Sequence, residues 1–239
     1  MIIFRCIRRL SHLILRAWQR FGRGKIIPLL STIEGIGLAI AGLCLWGFAE
    51  IADEVLEKET RGFDTAILLF LRQQQTPLLD QIIIGVTSLG EPTFLVIVTL
   101  VLSVILALRR QWIQGTVFAI AALGAAGLNI ILKDVFARAR PALWERSVDV
   151  RYYSFPSGHA MVSLVIYGLI GYLLATRFKD RSGPILTLTV LLIGLIGLSR
   201  LYLGVHWPTD VIAGYAAGLV WLVACILTLE IWQRRKFWH

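Results

Sequence analysis

The sequence is poor in charged residues and in cysteine. Charged residues make up only 16% of its 239 positions, whereas 57% are hydrophobic and the mean hydropathy is +0.74. Soluble domains are usually about 45–50% apolar, so this composition argues against a soluble protein. The three cysteines, Cys6, Cys44 and Cys225, lack the spacing of a metal site or of a disulfide scaffold. We therefore expect an all-α, polytopic membrane protein without a disulfide framework.

Six apolar runs have about the length that a membrane-spanning helix requires. Such a helix needs roughly 20 apolar residues to cross about 30 Å of hydrocarbon. The predicted spans cover residues 29–51, 92–108, 112–132, 158–176, 184–203 and 208–231. Glycine and alanine recur in the third, fifth and sixth runs, and small residues let membrane helices approach closely. The sequence thus predicts a compact six-transmembrane-helix bundle.

The connection between the first two spans, residues 52–91, contains short apolar stretches that Gln and Pro interrupt. Neither stretch has the length of a span. We interpret them as two short helices at the outer membrane interface, and a re-entrant pair is the alternative.

The basic residues predict the orientation of the bundle. Four segments hold 15 of the 24 Lys and Arg residues: 1–25, 109–110, 177–181 and 234–236. Basic loops tend to remain in the cytoplasm, so both termini are expected there. The connections expected outside are 52–91, 133–157 and 204–207. This topology, with attraction to anionic headgroups, explains the net charge of +9 without a nucleic-acid partner.

The same pattern divides the chain into three parts. Residues 1–28 mix aliphatic side chains and arginines at helical spacing, which is typical of a basic amphipathic segment in the cytoplasm or at the interface. Residues 29–232 form the predicted six-span domain, and residues 233–239 form a basic cytoplasmic tail.

Polar residues that are costly in a membrane cluster at the outward ends of the last four spans. The first cluster is the sequence KDVFARARP, with Lys133, Arg140 and Pro141. Lys133 and Arg140 are separated by two helical turns, a rise of about 10 Å. We expect the two cations on one helix face, able to converge on one anion, with the helix stopped by Pro141. Arg138 is expected to face elsewhere.

The second cluster is Pro156-Ser157-Gly158-His159, directly before the fourth span. Ser157 is a candidate N-cap, and Pro156 suits a helix start. Gly158 would let the backbone approach a ligand, and a helix N-terminus favours a bound phosphate. His159 would lie in the first turn beside that phosphate.

The third cluster is the sequence SRLYLGVHWPTD, at the junction of the last two spans. His206 and Asp210 lie four residues apart, and Pro208 is tolerated in a first helical turn. A carboxylate beside a histidine fixes its tautomer and leaves the other ring nitrogen free to attack. Arg200 could bind phosphate oxygens with its planar fork. Each cluster alone also fits a snorkelling cation or a capped helix, but together they favour one functional site.

Taken in order, the three clusters resemble the signature of the type 2 phosphatidic acid phosphatase (PAP2) superfamily. The matching positions are Lys133-x6-Arg140-Pro141, Pro156-Ser157-Gly158-His159 and Ser199-Arg200-x5-His206-x3-Asp210. The resemblance implies a phosphatase that uses neither a metal ion nor another cofactor.

The resemblance also implies catalytic roles. His206 would be the nucleophile that attacks phosphorus, and Asp210 would orient and activate it. His159 would protonate the leaving oxygen and then activate the water that releases the phosphohistidine. The remaining matched residues would hold the phosphate oxygens: Lys133, Arg140, Ser157, Gly158 and Arg200.

The predicted function is therefore metal-independent hydrolysis of a lipid phosphate or diphosphate at the outer surface of a bacterial plasma membrane. Members of the family that this chain resembles act on undecaprenyl diphosphate, phosphatidic acid or phosphatidylglycerophosphate. One alternative is a lipid phosphotransferase that uses the same site. An anion transporter is disfavoured, because spans three to six carry almost no charge between their ends.

Overall fold

The computed structural model describes residues 32–144 and 152–236, and the regular elements in these ranges are helices. The predicted amphipathic segment 1–28 and Cys6 lie outside the described residues, as does the end of the predicted tail. The helices are α1 (Thr32–Glu57), α2 (Arg61–Arg72), α3 (Pro77–Ser88), α4 (Pro92–Leu108), α5 (Trp112–Phe136), α6 (Gly158–Arg177), α7 (Ser182–Tyr202) and α8 (Pro208–Lys236). A short 3-10 helix, Lys179–Arg181, precedes α7.

The chain divides into two compact units, Met1–Ile40 and Ala41–His239. The described part of the first unit is the beginning of α1. The second unit contains the rest of α1 and the other described helices, and it carries all of the predicted site residues.

Several helices are long and apolar enough to cross a membrane. Among the described residues, five stretches meet this condition: Gly35–Glu57, Trp112–Phe136, Gly158–Arg177, Lys179–Tyr202 and Pro208–Gln233. A sixth results if α3 and α4, which are bent by 44° at a short break, form one span. The predicted multi-pass helical bundle is thus confirmed, with five or six spans.

The predicted second span differs from the other five. By itself it is the 17-residue helix α4, which begins at Pro92. Proline has no backbone N–H and suits a first helical turn, so the helix does not continue back across the break. The two short helices predicted in the connection 52–91 correspond to α2 and α3.

The core of the second unit forms around α6, which packs against α5, α7 and α8. Buried side chains from three of these helices meet there, among them Phe118 of α5, Leu169 of α6 and Leu229 of α8. Small residues permit the close packing: a Cβ added at Gly214 of α8 would lie 2.8 Å from the carbonyl oxygen of Ser157. This approach brings the beginning of α8 against the beginning of α6.

Aromatic packing fixes the segment that precedes α6. The ring of Phe155 is fully buried and lies 4.8 Å from the ring of Phe136 and 5.8 Å from that of Phe48, between centroids. The backbone N–H of Ser154 donates to the carbonyl of Arg138 at 2.9 Å. The segment just before α6 is therefore held by both apolar and polar contacts.

Candidate active site

A histidine and a carboxylate form the centre of the site. Asp210 lies in the first turn of α8, and His206 lies in the connection just before that helix. His206 Nδ1 is 3.3 Å from Asp210 Oδ2, which also accepts the backbone N–H of Trp207 at 2.9 Å. Both side chains are buried, with exposed fractions of 2% and 0%. The pairing at Nδ1 leaves Nε2 directed away from the carboxylate.

Arg140 lies beside that second nitrogen. Its Nη1 atom is 3.1 Å from His206 Nε2 and donates to the carbonyl of Val205 at 2.7 Å. Its Nε atom donates to the carbonyl of Tyr152 at 2.6 Å, and its Nη2 atom to that of Tyr153 at 3.4 Å. These main-chain acceptors fix the guanidinium next to the imidazole.

Lys133 converges on the same region, but not by the predicted route. Helix α5 ends at Phe136, because Ala137 takes a left-handed conformation with φ 43°. The prediction that Lys133 and Arg140 share a helix face, with Pro141 ending the helix, is therefore wrong. Instead the chain turns at Ala137, and Lys133 donates to the carbonyl of Tyr153, the same acceptor that Arg140 reaches.

The second cluster forms the beginning of α6, as expected. Ser157 is the N-cap, and its hydroxyl accepts the N–H of Ala160 at 3.5 Å. Its own backbone N–H donates to the carbonyl of Asp210 at 2.9 Å. Gly158 lies close to Asn129 of α5, whose amide donates to the carbonyl of Pro156 at 3.2 Å. The N-terminus of α6 is thereby tied to α5 and to the His206–Asp210 pair.

Two groups at the site have buried polar atoms without a partner. In the part of the chain that the structure describes, three such side-chain atoms occur, and two of them are His159 Nε2 and Arg200 Nε. A buried unsatisfied polar group costs roughly 1–3 kcal/mol, and native proteins contain few. Arg200 is otherwise held by Thr87, whose hydroxyl accepts from Nη1 at 2.7 Å. Both atoms therefore retain hydrogen-bonding capacity that the described residues do not use.

The electrostatic environment of His206 favours its neutral form. Burial is the main cause that lowers its pKa well below the ordinary value, and the charges of Arg140, Arg200 and Lys133 lower it further. These three cations, which were predicted from two of the clusters, thus act on one imidazole. Such a site suits an anion that approaches a neutral histidine.

Arg138, which was expected to face elsewhere, lies in the site. Its Nη1 atom donates to Asp210 Oδ1 at 2.5 Å, and its Nη2 atom donates to Asp64 Oδ2 of α2 at 2.7 Å. The prediction assumed a helix through Arg140, in which residues two apart point in different directions. Because the helix ends at Phe136, that rule does not apply.

Asp64 was missed altogether, although its position carried a signal. It lies four residues before Leu68 on the amphipathic α2, so both share one helix face. Leu68 is buried, and a carboxylate on the buried face of a helix requires a charged or hydrogen-bonding partner. The sequence did not indicate that this partner is Arg138.

The architecture and the site together define a multi-pass membrane protein with a buried histidine–aspartate pair among three cations. Residues 112–234 match the PAP2 superfamily. The chain belongs to this superfamily and is a hydrolase of the PAP2 phosphatase type, which confirms the resemblance seen in the sequence.

Several proteins of known sequence or structure are similar to this chain. It is 29% identical over 172 residues to phosphatidylglycerophosphatase B of Bacillus subtilis, covering 71% of this chain and 79% of the relative. It is 29% identical over 166 residues to an undecaprenyl-diphosphatase of Sulfolobus acidocaldarius, covering 66% and 74%. The crystal structure of a transmembrane PAP2-type phosphatidylglycerolphosphate phosphatase from Bacillus subtilis superimposes with a TM-score of 0.74 and 26% identity, over 81% of this chain and 96% of that chain. Aquifex aeolicus LpxE shares the fold, with a TM-score of 0.56 and 24% identity over 70% and 95% of the two chains.

Proposed function

We propose that the protein hydrolyses the phosphate or diphosphate group of a membrane lipid without a metal ion, through a phosphohistidine at His206. The observation that carries this proposal is that the two ring nitrogens of His206 have different surroundings. Nδ1 lies against Asp210, while Nε2 lies beside Arg140 in a site where two buried nitrogens of His159 and Arg200 have no partner.

The first chemical step is attack by His206 Nε2. A hydrogen bond from the Nδ1–H group to Asp210 Oδ2 places the lone pair at Nε2, and the lowered pKa of His206 keeps the ring neutral. The N–P bond forms as the P–O bond to the lipid breaks. Once the anionic phosphate is bound, its negative charge favours the protonated form of His159. The leaving oxygen then takes that proton from His159, whose Nε2 has no partner among the described residues.

The second step releases the phosphate. A water molecule attacks phosphorus and gives its proton to His159, the N–P bond breaks, and the electron pair returns to His206. The products are inorganic phosphate and the lipid without its terminal phosphate, which is a lipid monophosphate when the substrate is a diphosphate. Lys133, Arg140 and Arg200 stabilise the charge on the non-bridging oxygens throughout, together with the N-terminus of α6 at Ser157.

These cations supply what a metal ion supplies in other phosphoryl-transfer enzymes. The substrate classes we propose are phosphatidylglycerophosphate, undecaprenyl diphosphate and phosphatidic acid. The relatives named above are phosphatases of the first two kinds by name, and a site at helix ends can reach a headgroup while the acyl or prenyl chains stay in the bilayer.

We further propose that the site faces the outside of the cell and that both termini are cytoplasmic. The site lies where α5 and α7 end and where α6 and α8 begin. The opposite ends of these helices carry the basic connections with Arg109 and Arg110 and with Lys179 and Arg181. Cytoplasmic retention of basic loops supports this orientation.

The test is phosphate release by detergent-purified protein in the presence of EDTA, with wild type beside His206→Ala. The panel contains the three lipid classes and a water-soluble phosphate ester. Release that requires His206 and resists EDTA supports the proposal, and the order of rates indicates the substrate. Transfer of labelled phosphate to a second lipid instead of water would support the phosphotransferase alternative, and loss of activity that Mg²⁺ restores would contradict the metal-free mechanism.

A further inference from the structure

Asp64 is a fully buried carboxylate in a helix that lies before the family-matched residues. Its exposed fraction is 0%, and it lies in α2, whereas the PAP2 match begins at residue 112. Asp64 Oδ1 accepts the backbone N–H of Thr209 at 3.0 Å, and Oδ2 accepts the hydroxyl of Thr209 at 2.8 Å. Both oxygens are thus bound to the residue that precedes Asp210 in α8.

Arg138 connects this carboxylate to Asp210. One amino group of its planar fork donates to Asp64 at 2.7 Å and to Thr60 at 3.0 Å. The other donates to Asp210 at 2.5 Å and to Thr209 at 2.8 Å. A guanidinium can hold two carboxylates in fixed directions, which a lysine ammonium cannot do.

These bonds determine how Asp210 faces His206. Arg138 occupies Asp210 Oδ1, so Oδ2 is left for the N–H of Trp207 and for His206 Nδ1. Without Arg138 the carboxylate would keep its contacts on one oxygen only and could rotate about its side-chain bonds. The imidazole, and the lone pair that it presents at Nε2, would then lose its fixed direction.

We infer that Arg138 and Asp64 are positioning residues of the phosphatase. Asp64 orients Arg138, Arg138 holds Asp210, and Asp210 directs the nucleophile. The short helix α2 is therefore part of the catalytic apparatus and not only a membrane-interface element. This inference rests on the proposed function, because it assigns a task to groups that act through His206.

The test uses Asp64→Asn, Arg138→Gln and the double variant. With both carboxylates ionised, Asp64, Arg138 and Asp210 carry one negative charge together. Each single variant changes that charge, but the double variant restores it while the charged fork is absent. The double variant therefore separates the positions of the groups from their total charge.

We expect Arg138→Gln to lower kcat roughly 100-fold, the scale on which a 1 Å misplacement of a catalytic group acts. Asp64→Asn should lower kcat roughly tenfold, as loss of an outer hydrogen-bond partner does for metal-ligating histidines. The double variant should resemble Arg138→Gln, because Asp64 acts through Arg138. KM should change little in all three, since the cations that face the phosphate are untouched.

Asp80→Asn is the matched control. Asp80 of α3 accepts a hydrogen bond from the hydroxyl of Tyr202 at 2.7 Å, and its variant should keep the wild-type kcat.

Three results would overturn the inference. They are a wild-type kcat in both single variants, recovery of kcat in the double variant, and losses that multiply in the double variant. If a single variant fails to fold in detergent, Arg138→Lys and the double variant still test the inference. Arg138→Lys keeps the positive charge at this position, and the double variant leaves no unpaired charge at position 64 or 138. Failure of the proposed function is distinguishable: it would appear as activity in His206→Ala, whatever these variants do.

Discussion

Gly90 lies at the break between α3 and α4, against the histidine that we propose as the general acid. A Cβ added at Gly90 would lie 2.6 Å from Ile196 Cγ2 and 3.1 Å from His159 Cδ2. Carbon atoms in contact are normally about 3.5–4.0 Å apart, so the Gly90→Ala methyl overlaps both neighbours. Ile196 is fully buried, with an exposed fraction of 0%, and cannot swing into solvent. The overlap must then be relieved in part by movement of His159.

We expect Gly90→Ala to cost about 1–3 kcal/mol of stability, as overpacking of a core does. Relief of the 3.1 Å contact requires His159 to move by a few tenths of an ångström. Because a 1 Å misplacement costs roughly 100-fold, we expect kcat to fall by roughly tenfold. The control is Gly85→Ala in the middle of α3, where an added Cβ meets no atom within 4 Å. That variant should be at least as stable as wild type, because alanine favours a helix interior over glycine by about 0.8–1.0 kcal/mol.

The assay is phosphate release from the best lipid of the panel, with kcat and KM measured separately and the melting temperature recorded in detergent. Loss of activity in Gly90→Ala should become smaller when Ile196→Ala removes the closest overlapping atom. Equal kcat in Gly90→Ala and Gly85→Ala would refute the reasoning, because it would show that the break does not constrain His159.

Three other expectations concern binding, pH and topology. Thr87→Val removes the hydroxyl that accepts a hydrogen bond from Arg200. Inhibition by inorganic phosphate should then weaken by roughly tenfold, since hydrogen bonds to charged groups contribute about 1.5–3 kcal/mol. Unchanged inhibition would show that Thr87 does not position Arg200 for phosphate. Because the pKa of His206 is lowered, the folded protein does not take up its proton when the pH falls below about 6.5, whereas the unfolded chain does, so this residue's contribution to stability decreases there. Melting temperatures of wild type and His206→Gln measured from neutral to acidic pH check the sign, and a parallel pH dependence would contradict it. A single cysteine at position 149, in a background without native cysteines, should react with an impermeant reagent in intact cells; reaction only after lysis would invert the proposed topology.

The general architecture and the central pair of the site could be predicted from the sequence because both depend on local patterns. Apolar runs of membrane-spanning length identify helices directly. The spacing of His206 and Asp210 around Pro208 places the two side chains within reach at a helix start, and Ser157 acts as the expected N-cap. The unbroken apolar run of α4 gave no indication of a bent pair of helices formed by α3 and α4.

The polar connections of the site could not be predicted because they depend on one unusual backbone conformation and on distant contacts. A left-handed alanine at position 137 has no sequence signal, since glycine and asparagine are the usual residues there. The bond between Arg138 and Asp64 joins residues 74 positions apart. Such a contact follows from how α2 packs on α8, and periodicity within either segment does not contain that information.

The central claim is that phosphate passes through a covalent intermediate on His206, and trapping that intermediate tests it most directly. Purified protein in EDTA would be mixed with lipid labelled in its terminal phosphate and quenched rapidly in alkaline detergent, which preserves phosphohistidine. The account predicts a base-stable, acid-labile label on the peptide that contains His206 in wild type, and none in His206→Ala. Phosphate release without any labelled protein at any quench time, or a label that persists in His206→Ala, would contradict it.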